Sequence, residues 1–223
     1  MKTLLFPVLA LTTVLSACAG NAPATRSDTM MSLGTQGRPD AALTEVRQVL
    51  AAQYDVEEVR ISVPGRLKVS EANLYYPIAD IVWRGEPVGD RHAQVAAIFK
   101  EATDRATGSM IRGRKVVVDI EVTRFHSVTE KTRYTVGGTH SMHFLMTVTD
   151  AQTGTVLDGP RPVVADAKAA GGSRAVAEEQ MGRTQRVVVV ERLAQVIRRE
   201  LSTPVTDPML LSRALSNPSV LSN

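Results

Sequence analysis

Few side chains in this sequence stand at spacings that could do chemistry. There is one cysteine, Cys18, and there are four histidines. A single thiol can form neither an intramolecular disulfide nor a cysteine metal cluster, so Cys18 needs another explanation. His140 and His143 are three residues apart, which on a regular strand puts them on opposite faces, unable to share a metal ion. His126 could approach either, but no compact carboxylate cluster joins them, and no metal site is expected. Asp119 and Glu121 share a strand face two residues apart, a pairing that acid–base catalysis uses. With Lys115 and Thr123 as neighbours they read instead as a solvated sheet face. No Gly-x-Ser-x-Gly, Gly-x-Gly-x-x-Gly or P-loop pattern occurs, and Gly137-Gly138 and Gly171-Gly172 read as flexible turns. The short run Arg112-Gly113-Arg114-Lys115 could meet lipid headgroups or peptidoglycan carboxylates, but reads as solvent-facing. No catalytic residue, cofactor or metal is therefore assigned, and the chain is not expected to be an enzyme.

Cys18 finds its explanation in what precedes it. Met1-Lys2-Thr3 gives a basic start, Leu4 to Leu15 an apolar run, and Ser16-Ala17 two small residues, the plan of a secretory signal peptide over 1–17. A dozen helical residues reach about 18 Å, short of a hydrocarbon core of about 30 Å. Leu15-Ser16-Ala17-Cys18 closely resembles the lipobox of bacterial lipoproteins. That resemblance implies cleavage before Cys18 and a diacylglycerol thioether on its sulfur, with each buried methylene contributing about 0.8 kcal/mol to anchoring. Ala19 stands where enteric inner-membrane lipoproteins carry aspartate, which by analogy implies the outer membrane.

The elements behind these residues read as one domain. Loss of 1–17 leaves 206 residues, enough for a single core, and the 43% hydrophobic and 22% charged fractions exclude wholesale disorder. The formal charge of +3 falls to +2 without Lys2, and the charges are interspersed, so no nucleic-acid surface is expected despite a pI of 9.2. Residues 18–38, rich in Gly, Ala, Ser and Thr, read as a flexible tether, and 39–203 as the domain.

Pro39-Asp40 opens a predicted helix reaching about Gln53. Alternation predicts strands at Val59 to Val63 and again at Leu67 to Val69, after the Pro64-Gly65 turn. A loop with Asn73, Tyr75, Tyr76 and Pro77 precedes a short strand over Ile78 to Trp83. Asp90 reads as the N-cap of a helix with Val95, Ile98, Phe99, Ala102 and Ala106 inward; Arg91, His92, Gln94, Lys100, Glu101, Asp104 and Arg105 form its solvated face. Alternation over Val116 to Phe125 and Met142 to Val148, an Asp150 to Gly154 turn, and a return through Val163 to Lys168 predict a three-stranded antiparallel meander. Ser173 is a candidate N-cap of a helix running to Leu201, with Gly182 a possible break. The tetravaline Val187 to Val190 could be a strand, but the amphipathic period continues through Arg199 without a turn signal, favouring helix. The tail, 204–223, is rich in Pro and Ser; Asp207-Pro208 could start a short helix with Leu210, Leu211, Ala214 and Leu215 on one side, packing on the domain or docking a partner.

From the lipobox through Ile81-Val82-Trp83-Arg84-Gly85, the strand Val116 to Phe125, the turn Asp150 to Gly154 and the last helix, the chain resembles small uncharacterised lipoproteins of alphaproteobacteria, a domain of unknown function. It is more loosely similar to envelope lipoproteins with a domain like the N-terminal domain of TolB. The resemblance implies an α+β two-layer sandwich, an antiparallel or mixed sheet with two to three helices on one face. The function expected is that of a non-catalytic envelope lipoprotein facing the periplasm, held to the membrane through Cys18 and offering a sheet face or edge to another envelope component. The alternative is a periplasmic carrier or sensor of a small apolar ligand, suggested by Met142, Phe144 and Met146 on one face.

Overall fold

The computed structural model describes residues 50–204. Cys18, the tether, the start of the domain and the tail beyond Pro204 lie outside the described residues. Strand β1 (Leu50–Ala52) is followed by β2 (Tyr54–Ser62), β3 (Ile81–Val82) and helix α1 (Arg91–Thr107). The long strand β4 (Arg114–His126), the single-turn helix α2 (Glu130–Arg133) and β5 (Gly138–Asp150) form the middle of the chain. Then come β6 (Val156–Val164), β7 (Ala167–Ala169), α3 (Gly172–Gln180), α4 (Gln185–Glu200) and β8 (Ser202–Pro204).

Six strands make one mixed sheet, an α+β fold. β4, β5 and β6 form the predicted antiparallel meander, its β5–β6 turn closed by Gly154 at φ 69°. β2 and β3 lie in line along the other side of β4, both parallel to it, while β7 continues the β6 side along the start of β5. The sheet's parallel half is reached through α1, the kind of crossover that parallel pairing requires. β1 and β8 form a separate antiparallel ribbon, Leu50 opposite Pro204.

Helices α1 and α4 and one face of the sheet share a single core. Val116, Val118, Ile120 and Val122 alternate inward along β4 until a bulge at Thr123 shifts the phase, so that Phe125 rather than Arg124 enters the core. Phe125 meets Trp83 edge-on at 5.6 Å, and Phe99 bridges it to Phe144 at 6.2 and 5.5 Å. All five residues predicted inward on α1 are buried. The α1 start is capped by Asp90, which accepts from the Ala93 amide at 3.0 Å.

Several expectations are corrected. Leu50 to Ala52 is strand, not helix, because it pairs with β8. Val69 makes only an isolated bridge to Ile81, so Leu67 to Val69 is no strand, although Leu67 is buried. The return predicted through Val163 to Lys168 is two strands, β6 ending at Val164 and β7 starting at Ala167. The last helix divides at Gly182, whose φ of 79° ends α3, and α3 begins from Gly171 rather than Ser173. The tetravaline is helical, its helix capped by Thr184.

Candidate functional site

The sequence-selected polar residues do not converge. Asp119 and Glu121 do share the outer sheet face, but Glu121 binds Arg66 at 2.5 Å, while Asp119 stands opposite Arg60 in the register. Arg114 donates to Asp150 at 2.5 Å, and Asp150 also accepts from the Gln152 and Thr153 amides, closing the turn. The Arg114 hydrogen bond, then those from Thr153, hold the Asp150 carboxyl well below its ordinary range. The basic run therefore belongs in part to a structural turn.

The histidines separate as their spacing requires. His143 faces outward, its Nε2 3.2 Å from Asp166. His140 faces inward and is 1% exposed, with Nδ1 2.7 Å from the Ser127 hydroxyl, which donates to Gln185 Oε1 at 2.9 Å. With its one proton given to Gln185, Ser127 accepts from Nδ1–H, leaving His140 Nε2 unprotonated and without a partner. The hydroxyl is thus not aimed to lose its proton to the imidazole, the relation a Ser–His nucleophile needs. Burial, then the charge of Arg133, lowers the His140 pKa to about 4. Among the described residues no group of three His, Cys, Asp or Glu could hold a metal ion.

What the structure does assemble is a loop, residues 71–80, at the finishing end of β4. Its backbone is pinned to the domain: Thr129 donates to the Leu74 carbonyl, Thr132 to that of Tyr75, and His126 Nε2 to that of Pro77, each at 2.8 Å. Asn73 accepts from the Lys131 amide, and Asp80 from that of Lys68. At its start, Glu71 accepts from Arg91 at 2.6 and 2.9 Å and from Arg84 at 3.0 Å, while Arg84 also binds Glu130 at 2.8 and 3.0 Å. Hydrogen bonds from Arg91, ahead of those from Arg84, lower the Glu71 pKa. Arg91, expected on a solvated face, is therefore buried: the loop returns over the first turn of α1, and Arg91 also donates to the carbonyls of Glu86 and Pro87.

With its backbone turned inward, the loop turns its large side chains out. Leu74, Tyr75 and Tyr76 are more than half exposed and Ile78 is 97% exposed, while Pro77 between them is buried. Tyr76 stacks on His126 at 4.5 Å and accepts from Arg124; Lys131 lies 4.6 Å from the Tyr75 ring centre. Beside the loop opens a cleft of about 500 Å³, lined by Tyr75, Tyr76, Val128, Val136 and Asp166 among others. Met142, Phe144 and Met146 lie wholly in the core beneath the helices.

The paired glycines are not flexible turns. A Cβ on Gly171 would stand 2.2 Å from the Gly137 nitrogen, and one on Gly137, at φ 72°, 2.7 Å from the Ala169 carbonyl. Two backbones cross there at a distance only glycine permits.

A family model matches residues 54–216, most of the chain and nearly all of the described domain. The chain belongs to DUF6778, a family of unknown function. No curated protein matches it. Solved structures similar to this DUF6778 chain include a Xanthomonas campestris protein of DUF330, at 14% identity and TM-score 0.38, covering 69% of this chain and 83% of that one. A candidate lipoprotein from Caulobacter crescentus is similar at 14% identity and TM-score 0.29, covering 63% and 86%. PelC from Paraburkholderia phytofirmans, a dodecamer, is similar at 15% identity and TM-score 0.31, covering 68% and 94%. Among the described residues of the DUF6778 chain no helix is long and apolar enough to cross a membrane.

Proposed function

We propose that this chain is a non-catalytic lipoprotein of the bacterial envelope, of the alphaproteobacterial type with a domain like the TolB N-terminal domain. It is held by lipid on Cys18, faces the periplasm from the outer membrane, and serves as a binding or assembly component. The observation that carries the binding role is the pinned loop, whose Leu74, Tyr75, Tyr76 and Ile78 side chains meet solvent although its backbone is fixed. Apolar side chains held outward on a fixed frame suit contact with another envelope component. The contact surface is this loop end rather than a sheet face or edge. The anchor rests on the lipobox at Leu15 to Cys18.

Two measurements test the proposal. Mass spectrometry of the membrane fraction is expected to find an N-terminus at Cys18 carrying diacylglycerol; an unmodified thiol would remove the anchor. Pull-down from detergent-solubilised envelopes is expected to recover the same components with the native chain repeatedly, and to lose them with Tyr76→Ser plus Ile78→Ser. Equal recovery with both chains would remove the loop from the binding role. A second reading, carriage of a small apolar ligand, is favoured by the cleft beside Tyr75 and Val136. Native mass spectrometry of gently extracted protein would then show a bound lipid-sized mass.

A further inference from the structure

We infer that the loop end formed by Leu74, Tyr75, Tyr76, Pro77 and Ile78 seats in the interface of the lipid bilayer, giving the domain a second point of attachment besides its acyl anchor. The inference rests on the reading of this loop as the contact surface, and names a lipid surface as what it contacts.

Seating at the headgroup level costs less when a loop's carbonyls already have partners inside the protein, while groups left open there can still meet interfacial water. Here the three carbonyls beside the protruding side chains, those of Leu74, Tyr75 and Pro77, each accept from a side chain of the domain. The side chains suit the interface. Tyrosine, apolar in body and polar at its tip, concentrates at the headgroup level, and Ile78 and Leu74 would reach the acyl boundary beyond it.

The charges around the loop are sorted. Glu71 and Glu130 are engaged by Arg84 and Arg91, and Asp80 accepts from a backbone amide. Lys131 and Arg124, which flank the tyrosines, make no ion pair among the described residues. The rim thus offers two uncompensated cations to anionic headgroups. A protein pocket could also receive Ile78, but the two cations beside the tyrosines favour an anionic lipid surface over an apolar pocket.

The anchor permits this seat. The described chain begins at Leu50, β1 leads into β2, and β2 starts beside Arg114, so the chain enters at the starting end of β4. The loop lies at the other end, where Ile81 pairs with Phe125. The 13 residues of β4 run about 43 Å at about 3.3 Å each. Twenty residues, the number from Ala19 to Arg38, span at most about 70 Å, so chain length alone does not keep Cys18 and the loop from one bilayer. The domain would then lie along the membrane.

The test uses the full lipidated chain reconstituted in vesicles of equal parts phosphatidylglycerol and phosphatidylcholine, with a nitroxide-labelled lipid as quencher. Cys18 is the only native cysteine and its sulfur is acylated in this reading, so Ile78→Cys supplies one free thiol for an environment-sensitive fluorophore. Val156→Cys, 54% exposed at the opposite end of the sheet, is the comparison. The expected result is several-fold stronger quenching and a blue-shifted emission at position 78 relative to 156. Lys131→Gln and Arg124→Gln should each reduce the seated fraction by about fivefold on these vesicles and little on phosphatidylcholine alone. In protein that floats with the vesicles, an unquenched probe at 78, or stronger quenching at 156, overturns the inference. If that happens while Tyr76→Ser plus Ile78→Ser still loses partners in pull-down, the loop is a protein-binding surface and only the lipid assignment fails. Failure to float, with an unmodified Cys18 by mass, defeats the anchor instead.

Discussion

Two buried polar systems in this domain are built to opposite standards. Around Arg91 every partner is in place: the guanidinium donates to Glu71, Gln94 and two carbonyls, and Glu71 is shared with Arg84. Around His140 the set is incomplete, since Nε2 has no partner and the neighbouring Arg133, 4% exposed, reaches Glu179 only at 3.6 Å. A satisfied network fixes whatever it touches, and here it fixes the loop that carries Leu74 to Ile78. An incomplete one stores a cost that conditions can raise, because the charged form of the imidazole has nowhere to donate.

The difference can be tested by breaking each side. Arg91→Ala strands two carbonyls and leaves Glu71 to Arg84 alone, and should lower unfolding stability by about 3 kcal/mol in urea titration, with loss of protection from hydrogen exchange in residues 71–80. A loss below about 1 kcal/mol would mean that the network does not hold the loop.

Acid should find the other weakness. The unfolded chain, with His140 near 6.5, takes up a proton before the folded one, whose His140 titrates at about 4. Stability from this group is therefore full above about pH 6.5 and drains as pH falls towards 4, by about 3 kcal/mol in all. His140→Gln should flatten that part of the pH dependence; an unchanged difference in urea midpoint between pH 7 and pH 4.5 would refute the assignment.

Gly137→Ala is expected to cost about 2 kcal/mol through its positive φ and the crowded crossing, read as a lower thermal midpoint. Asp119→Asn, on the open sheet face, should change stability by less than about 0.5 kcal/mol. A larger loss would show that this face is covered by something.

Much of the frame was legible because alternation and helical period record burial directly. The meander, the α1 stripe and the helical tetravaline all follow from which residues must face a core. The partner of β2 was not legible, since Val59 and Ile61 alternate alike whether the neighbouring strand is parallel or antiparallel. Nor was Arg91: it follows a solvated pattern on its own helix and is buried by a loop arriving from 20 residues earlier. The same limit hid the site. Leu74, Tyr75, Tyr76 and Ile78 are core residues by type, and only the carbonyl anchors from Thr129, Thr132 and His126 turn them outward. A dense run of large apolar residues around a proline, outside any period, was the available signal.

The arrangement of β2 also bears on how quickly the chain can fold. β4, β5 and β6 are consecutive and zip through short connections, whereas β2 finds β4 only after the segment containing α1 has closed, pairing Tyr54 with Arg114. Sequence-distant parallel pairings form slowly because loop closure precedes their reward. The meander is thus the natural early structure, and β2 the last main strand to join. Until it does, the β4 edge stands open, and a newly made chain would be most vulnerable to aggregation in that interval.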